Sequence, residues 1–194
     1  MRRVCYNGSN VRKGGRRSVQ ERTIRRDRAV FWLALALAVA AGALLGYLLA
    51  GKPQTKTPPK PVTFTAGQLS LTLDDRFSPR EEPGFDAAFG APGAAVFVRK
   101  EPFSQARGME DMTLEEYGAL VMEDNGLDGA LWPGGGAPHF AYGYDGPDGP
   151  FCCTAYLYKA TDAFWLVQFA LPAEGADAYE DDVPTWAASV RFAA

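Results

Sequence analysis

The sequence predicts an α+β domain, an antiparallel sheet with helices on both faces, preceded by one transmembrane helix. Three observations carry this reading. Ala29 to Gly51 is an uncharged apolar run closed by Arg28 and Lys52. Thr113 opens a segment with helical apolar spacing and a capping sequence. His139 to Tyr144, Phe151 to Tyr158 and Ala163 to Leu171 are strand-like stretches separated by turn sequences, the order of an antiparallel meander.

Residues 1–28 hold ten Lys or Arg against Glu21 and Asp27, a net +8, and little apolar periodicity, so they read as a disordered basic cytoplasmic tail. The rest of the chain carries ten Lys or Arg against twenty-one Asp or Glu, and the formal net charge of −3 conceals this reversal. Either the tail's charges hold anionic headgroups, at about 1 kcal/mol each, or they only set topology. Nucleic acid is not an expected partner, since Tyr6 is the tail's one aromatic residue.

The run 29–51 can cross a hydrocarbon core of about 30 Å at about 1.5 Å per helical residue. Its Leu, Val and Phe residues favour insertion by about 0.3 to 0.6 kcal/mol each near the bilayer centre. A buried core helix would rarely be apolar on every side for so many turns. A cleaved signal peptide is the rival; against it stand the length of the run and the large Leu48, three residues before an exit after Ala50. Basic residues beside a span stay in the cytoplasm. The expected location is therefore the cell membrane, single-pass, with the amino terminus cytoplasmic and the carboxyl-terminal domain extracytoplasmic. Small residues at Ala34, Ala38, Gly42, Gly46 and Ala50 form a stripe, and Ala38, Gly42, Gly46 and Ala50 are the face expected for a homodimer through the span; an Ala-rich span also produces such spacing by chance. Lys52 to Pro61, KPQTKTPPKP, reads as an extended linker of roughly 30 Å at about 3.1 Å per residue.

Residues 62–194 have the composition of a globular domain. Val62 to Thr65 is a lead-in strand, and Leu69, Leu71 and Leu73 alternate with Ser70 and Thr72 as a half-buried strand should, up to Asp74-Asp75. A loop-rich stretch through Pro79 and Pro83 leads to AAVFVRK at 94–100, with Val96 and Val98 on one face. Thr113 and Glu116 make a capping box, Met112 can staple onto Tyr117, and Leu114, Tyr117, Leu120 and Val121 share a face until Asn125-Gly126. Turns at 145–150 and 160–162 join the three later strands. In the last of these, Phe164, Leu166 and Ala170 face one way and Trp165, Val167, Phe169 and Leu171 the other, so both faces need cover. A second helix near Asp177 to Ser189, interrupted or restarted by Pro184, supplies it, before a short strand from Val190 to Phe192. No internal repeat is visible.

LSLTLDDRF, AVFVRKEPF, the TLEEYGALVMEDNGL helix, DAFWLVQFAL and DDVPTWAASVRF together resemble the PsbP-like domain, over about Leu69 to Phe192. The resemblance implies an α/β/α sandwich around an antiparallel sheet and an accessory or docking role, as in an extrinsic photosystem subunit, a small-GTPase-binding transport factor and bacterial lipoproteins. It carries over no catalytic residue. Asp74 stands where such domains often have Pro after the first strand, and the anchor here is a span rather than a lipobox Cys.

The chemistry visible in the sequence is sparse. Cys5 lies in the tail, and Cys152 and Cys153 are neighbours on one expected strand, which points them to opposite faces and bars a bond between them. One His and no Cys-x-x-Cys leave no zinc spacing. A thiol enzyme would use His139 to activate Cys152 or Cys153, whereas a Cys in a strand is ordinarily just packed. Trp132-Pro-Gly-Gly-Gly136 lacks the Lys and following helix of a phosphate loop, and Asp177, Glu180, Asp181 and Asp182 lack the spacing of a calcium loop. Tyr142, Tyr144, Tyr156 and Tyr158 either line a partner surface or form cross-strand core pairs. The expected function is a single-pass bacterial envelope protein whose outer domain binds a protein or cell-wall partner without catalysis, cofactor or metal. The alternatives are an envelope enzyme built on His139 and a cysteine, and a small-ligand-binding module.

Overall fold

The computed structural model describes residues 59–133, 136–146 and 149–193. The apolar run with Ala38, Gly42, Gly46 and Ala50, the basic tail and most of the linker lie outside the described residues. Among those described, no helix is long and apolar enough to cross a membrane.

The meander is as the sequence predicts. Strands β6 (His139–Gly146), β7 (Gly149–Lys159) and β8 (Ala163–Pro172) pair antiparallel, with Tyr142 opposite Cys153 and Leu157 opposite Leu166. Strand β5 (Ala94–Pro102) closes onto the other side of β8, Val98 against Val167. The stretch expected to be loop-rich instead holds two short strands, β3 (Ser78–Arg80) and β4 (Ala87–Ala91), which extend the sheet beyond β5. Ala88, Gly90 and Ala91 give this part of the chain little apolar weight, so its pairing comes from the neighbouring strand rather than from its own pattern. The resulting sheet has the order β3-β4-β5-β8-β7-β6.

The single sheet expected from sequence is in fact two. β1 (Pro61–Ala66), β2 (Leu69–Asp74) and β9 (Arg191–Phe192) form a separate three-stranded antiparallel sheet. Its Leu69, Leu71 and Leu73 pack in one core with Val96, Val98, Trp165, Val167 and Phe169. One face of the large sheet is therefore covered by this small sheet together with helix α2 (Asp182–Ala188), whose Trp186 meets Phe77 edge-on and stacks on Phe169. Alternation alone reports that a strand has one buried face and not which sheet buries it. The expected helix from Asp177 to Ser189 is shorter than predicted: a single-turn 3-10 helix at Ala176–Ala178 precedes α2. Pro184 sits in the first turn of α2, where its missing N–H has no intrahelical partner to lose.

The opposite face is covered by helix α1 (Leu114–Asp124), reached through two 3-10 turns, Phe103–Gln105 and Met109–Asp111. Thr113 Oγ1 accepts from the Glu116 N–H at 3.1 Å and the Thr113 N–H donates to Glu116 Oε2 at 2.8 Å, the reciprocal cap the sequence predicts. Gly126, with φ of 61°, follows the helix end in the left-handed conformation. Tyr117 stacks on Phe164 at 4.2 Å and 5°. Gly118 brings the helix close to the sheet: a Cβ there would stand 2.6 Å from Leu157 Cδ1 and 3.0 Å from Leu131 Cδ2.

The close approach makes Gly118→Val overpack a site bounded by the fully buried Leu157, and a loss of about 1–3 kcal/mol is expected, read as a lower urea midpoint at unchanged slope. Thr113→Ala, which removes one half of the cap, should cost about 1 kcal/mol in the same measurement.

Candidate functional site

The features bearing on function lie at the β6 end of the large sheet. His139 is held by β7 and by a bridge to Trp132 on its other side: the Trp132 N–H donates to the His139 carbonyl at 2.8 Å and the His139 N–H to the Trp132 carbonyl at 3.0 Å. The His139 ring stacks on Tyr156 at 4.7 Å, with Trp132 5.6 Å away on a 44% exposed side chain. The Leu157 N–H bonds to the Pro138 carbonyl, which fixes the ladder phase. From it, the main-chain N–H and C=O groups of Ala141, Gly143 and Asp145 point away from β7. All three residues are exposed, β6 is the last strand of the sheet, and no described strand pairs with it beyond the Trp132 bridge.

Charge is distributed unevenly around this edge. From Gly108 to Tyr158, which spans α1, β6 and most of β7, the chain has nine Asp or Glu and no Lys or Arg. Asp145 is exposed at the turn end of β6, and Asp128 is exposed shortly before Trp132.

Two buried polar groups lie on the α1 side of the sheet. Tyr142, Cys153 and Gln168 share one, in which burial pushes the Cys153 thiol up to about 12, against the opposing hydrogen bonds of Tyr142 and Gln168. Burial likewise raises Tyr142 well above its ordinary value, with the neighbouring Cys153 adding to the shift. In the other, Glu101 is 7% exposed, with Arg99 Nε 3.3 Å from its Oε1 and the Tyr117 hydroxyl beside it. Burial holds the Glu101 carboxyl above its ordinary value of 4.5, with Arg99 pulling the other way. The sequence signal for these groups is parity. Arg99 and Glu101 continue the inward alternation of Ala95 and Phe97, and Gln168 is the lone polar residue of a doubly buried strand.

The structure separates the residues that a thiol enzyme would need together. Cys153 faces the α1 side of the sheet, while His139 and Tyr156 face the other. Cys152 shares the face of His139 but stands opposite Gly143, whereas His139 stands opposite Tyr156, so the two are roughly 13 Å apart along the ladder at about 3.3 Å per residue. The imidazole–thiol pair is therefore not formed. The four tyrosines also fail to make one surface. Tyr142 and Tyr144 pack on the α1 side, and Tyr156 and Tyr158 on the other, where the Tyr158 hydroxyl donates to the Ala187 carbonyl at 2.7 Å. The period of two puts 142 and 144 opposite 153 and 151, and so on the face that Tyr156 and Tyr158 do not share. Asp181 and Asp182 lie at the start of α2, and among the described residues no group of His, Cys, Asp and Glu is arranged to hold a metal.

The fold is similar to that of cyanobacterial PsbP. The solution structure of cyanobacterial PsbP (CyanoP) from Synechocystis sp. PCC 6803 matches it with a TM-score of 0.43 and 10% sequence identity, over 75% of this chain and 99% of that chain. No protein-family model matches the chain, and no curated protein does.

The buried groups make two checkable statements. With Cys5 and Cys152 replaced by Ser, Cys153 should resist iodoacetamide at pH about 8 until the domain is unfolded, because a thiol held near 12 supplies almost no thiolate. Glu101 binds its proton more tightly folded than unfolded, so its contribution favours the fold at low pH and is lost as pH rises from 4.5 through the raised folded value. Glu101→Gln cannot ionise, and its urea midpoint relative to wild type should climb between pH about 4.5 and about 7.

Proposed function

We propose that the protein is a single-pass membrane protein of the bacterial envelope, amino terminus cytoplasmic, whose outer domain docks a protein partner and carries out no chemistry of its own. The observation that carries the docking reading is the one-signed end of the domain. The stretch from Gly108 to Tyr158 has nine acidic residues and no basic one, and Glu115, Glu116, Glu123 and Asp124 of α1 and Asp145 of β6 belong to it, beside a strand edge that no described strand pairs and an exposed tryptophan. A surface of this kind steers an oppositely charged partner and fixes its register more than it adds raw affinity. The anchor is supported by the uncharged run from Ala29 to Gly51, the +8 tail before it and the proline-rich spacer after it, which together orient a span and hold the domain off the headgroups.

Two measurements test the parts separately. Alkaline extraction of membranes should leave the chain in the pellet, and protease added to spheroplasts should remove the carboxyl-terminal domain while sparing a tag at the amino terminus; extraction into the supernatant or protection of the domain overturns the anchor. Proximity labelling from the carboxyl terminus in intact cells should recover a reproducible envelope protein, and its absence overturns docking.

A further inference from the structure

The geometry points to β-strand addition at β6: we propose that the partner binds as an extended segment bearing Lys or Arg, paired along Ala141 to Asp145 as a seventh strand of the large sheet. This rests on the docking reading above.

Unpaired strand edges recruit other strands, and folded proteins ordinarily blunt them with Pro, Lys, bulges or extreme shortness. The other edges here follow that rule. β3 has three residues and contains Pro79, β9 has two residues, and β1 starts at Pro61 directly behind Pro59 and Lys60. β6 does not. It runs eight residues without Pro, Lys or Arg, its pairing to β7 is regular throughout, and its outward groups at Ala141, Gly143 and Asp145 are exposed. The Trp132 bridge at His139 bounds this edge at one end, and β6 itself ends at Gly146. Among the described residues, no strand pairs with the five residues from Ala141 to Asp145, centred on Gly143.

The side chains along this edge state what fits. His139, Ala141, Gly143 and Asp145 alternate onto one face, and Trp132, bridged to His139, stands at the end of that row. Ala141 and Gly143 carry the smallest side chains of this row. Asp145 at one end offers a carboxylate to a cation, and the exposed Trp132 ring at the other offers a face on which a guanidinium or ammonium can rest. On the opposite face, Tyr142 and Tyr144 stand as cross-strand neighbours for apolar or aromatic residues. A strand alternating basic and apolar residues satisfies both rows. A second copy would instead bring Asp145 and the other acids of the stretch from Gly108 to Tyr158, which has no Lys or Arg, against themselves.

The test uses the full chain in zwitterionic lipid nanodiscs and a fluorescent, end-capped peptide of alternating Lys and Val. Fluorescence polarisation should show saturable binding that weakens as salt rises from about 0.05 to about 0.5 M. The same peptide N-methylated at alternate residues keeps its charge but cannot pair as a strand, and should bind at least about tenfold more weakly. Gly143→Pro deletes one outward N–H without removing a bond to β7, and should weaken the unmodified peptide by a similar factor. Should that variant unfold, the N-methyl comparison on the wild type still decides. Equal binding of both peptides reduces the effect to charge alone and overturns the proposal. So does a crosslinked dimer of the full chain that Gly143→Pro abolishes while no peptide binds, since a second copy then occupies the edge. If proximity labelling recovers the same partner from a folded Gly143→Pro chain as from wild type, docking stands and the strand edge is not its site.

Discussion

The structure depends on a strand with no solvent face. β8 is the inner strand between β5 and β7, and every residue from Ala163 to Leu171 is buried. Trp165, Val167 and Phe169 look into one core, Phe164 and Leu166 into another, and each large apolar side chain hidden this way contributes about 1.5–3 kcal/mol. Neither cover is complete alone. β2 brings a row of three leucines and α2 brings Trp186 to the first face, while Tyr117, Val121 and Met122 of α1 bring the second. The small sheet is tied in by polar bonds where its pairing stops: Ser189 Oγ accepts from the Thr72 N–H at 2.8 Å and donates to the Trp186 carbonyl at 2.6 Å. The Tyr158 hydroxyl does the same between β7 and the end of α2.

A strand buried on both sides leaves its polar residues with few ways to be satisfied. Gln168 is 4% exposed, and it stands with Cys153 and Tyr142 rather than among apolar groups alone. Removing an amide from water without a partner costs about 1–3 kcal/mol by mutational measures, and the Gln168 Oε1 and Tyr142 hydroxyl, both buried without a hydrogen-bond partner among the described residues, carry a cost of this kind. Glu101 faces a larger demand, because a carboxylate loses more than an amide on burial. Arg99 compensates only in part, and the raised protonation of Glu101 is the residue of that imbalance.

Local chemistry made much of this legible. The Thr113–Glu116 box, Gly126 after the helix and the antiparallel order of β6, β7 and β8 are decided by residues close in sequence, and each stands where the pattern places it. What the pattern does not contain is partnership across distance. β3 and β4 carry too few β-branched or large residues to announce themselves and exist because β5 offers an edge. The leucine row of β2 reads identically whether it joins the large sheet or lies across it. The same limit governs the site: strand parity separates Tyr142 from Tyr156 once the register is known, but loop length alone does not set that register. The open edge of β6 follows from its terminal place in the sheet order, which no local window holds.

The charge of the domain has a structural explanation as well as a functional reading. Residues 62–194 contain seven Lys or Arg, and most are engaged at home. Arg76 pairs with Asp74, Arg80 with Glu82, Arg99 with Glu101 and Lys100 with Asp162. Lys159 donates to the carbonyls of Glu110 and Met112, and Arg191 to those of Ala188 and Val190. Four of these cations neutralise nearby carboxylates and two fasten loops or chain ends. The acids of α1, β6 and their connecting loops have no such counterpart in their own stretch of sequence. Asp74, Glu82 and Glu101 are buried and need their partners, whereas a pair added on an exposed part of α1 or β6 would be worth only about 0–1 kcal/mol, so stability gives little reason for cations there. An acidic excess there costs self-repulsion, which a basic partner would relieve. Along Ala141, Gly143 and Asp145 the outward backbone groups meet no described strand, and this convergence of charge and hydrogen-bonding capacity distinguishes β6 from the other described edges.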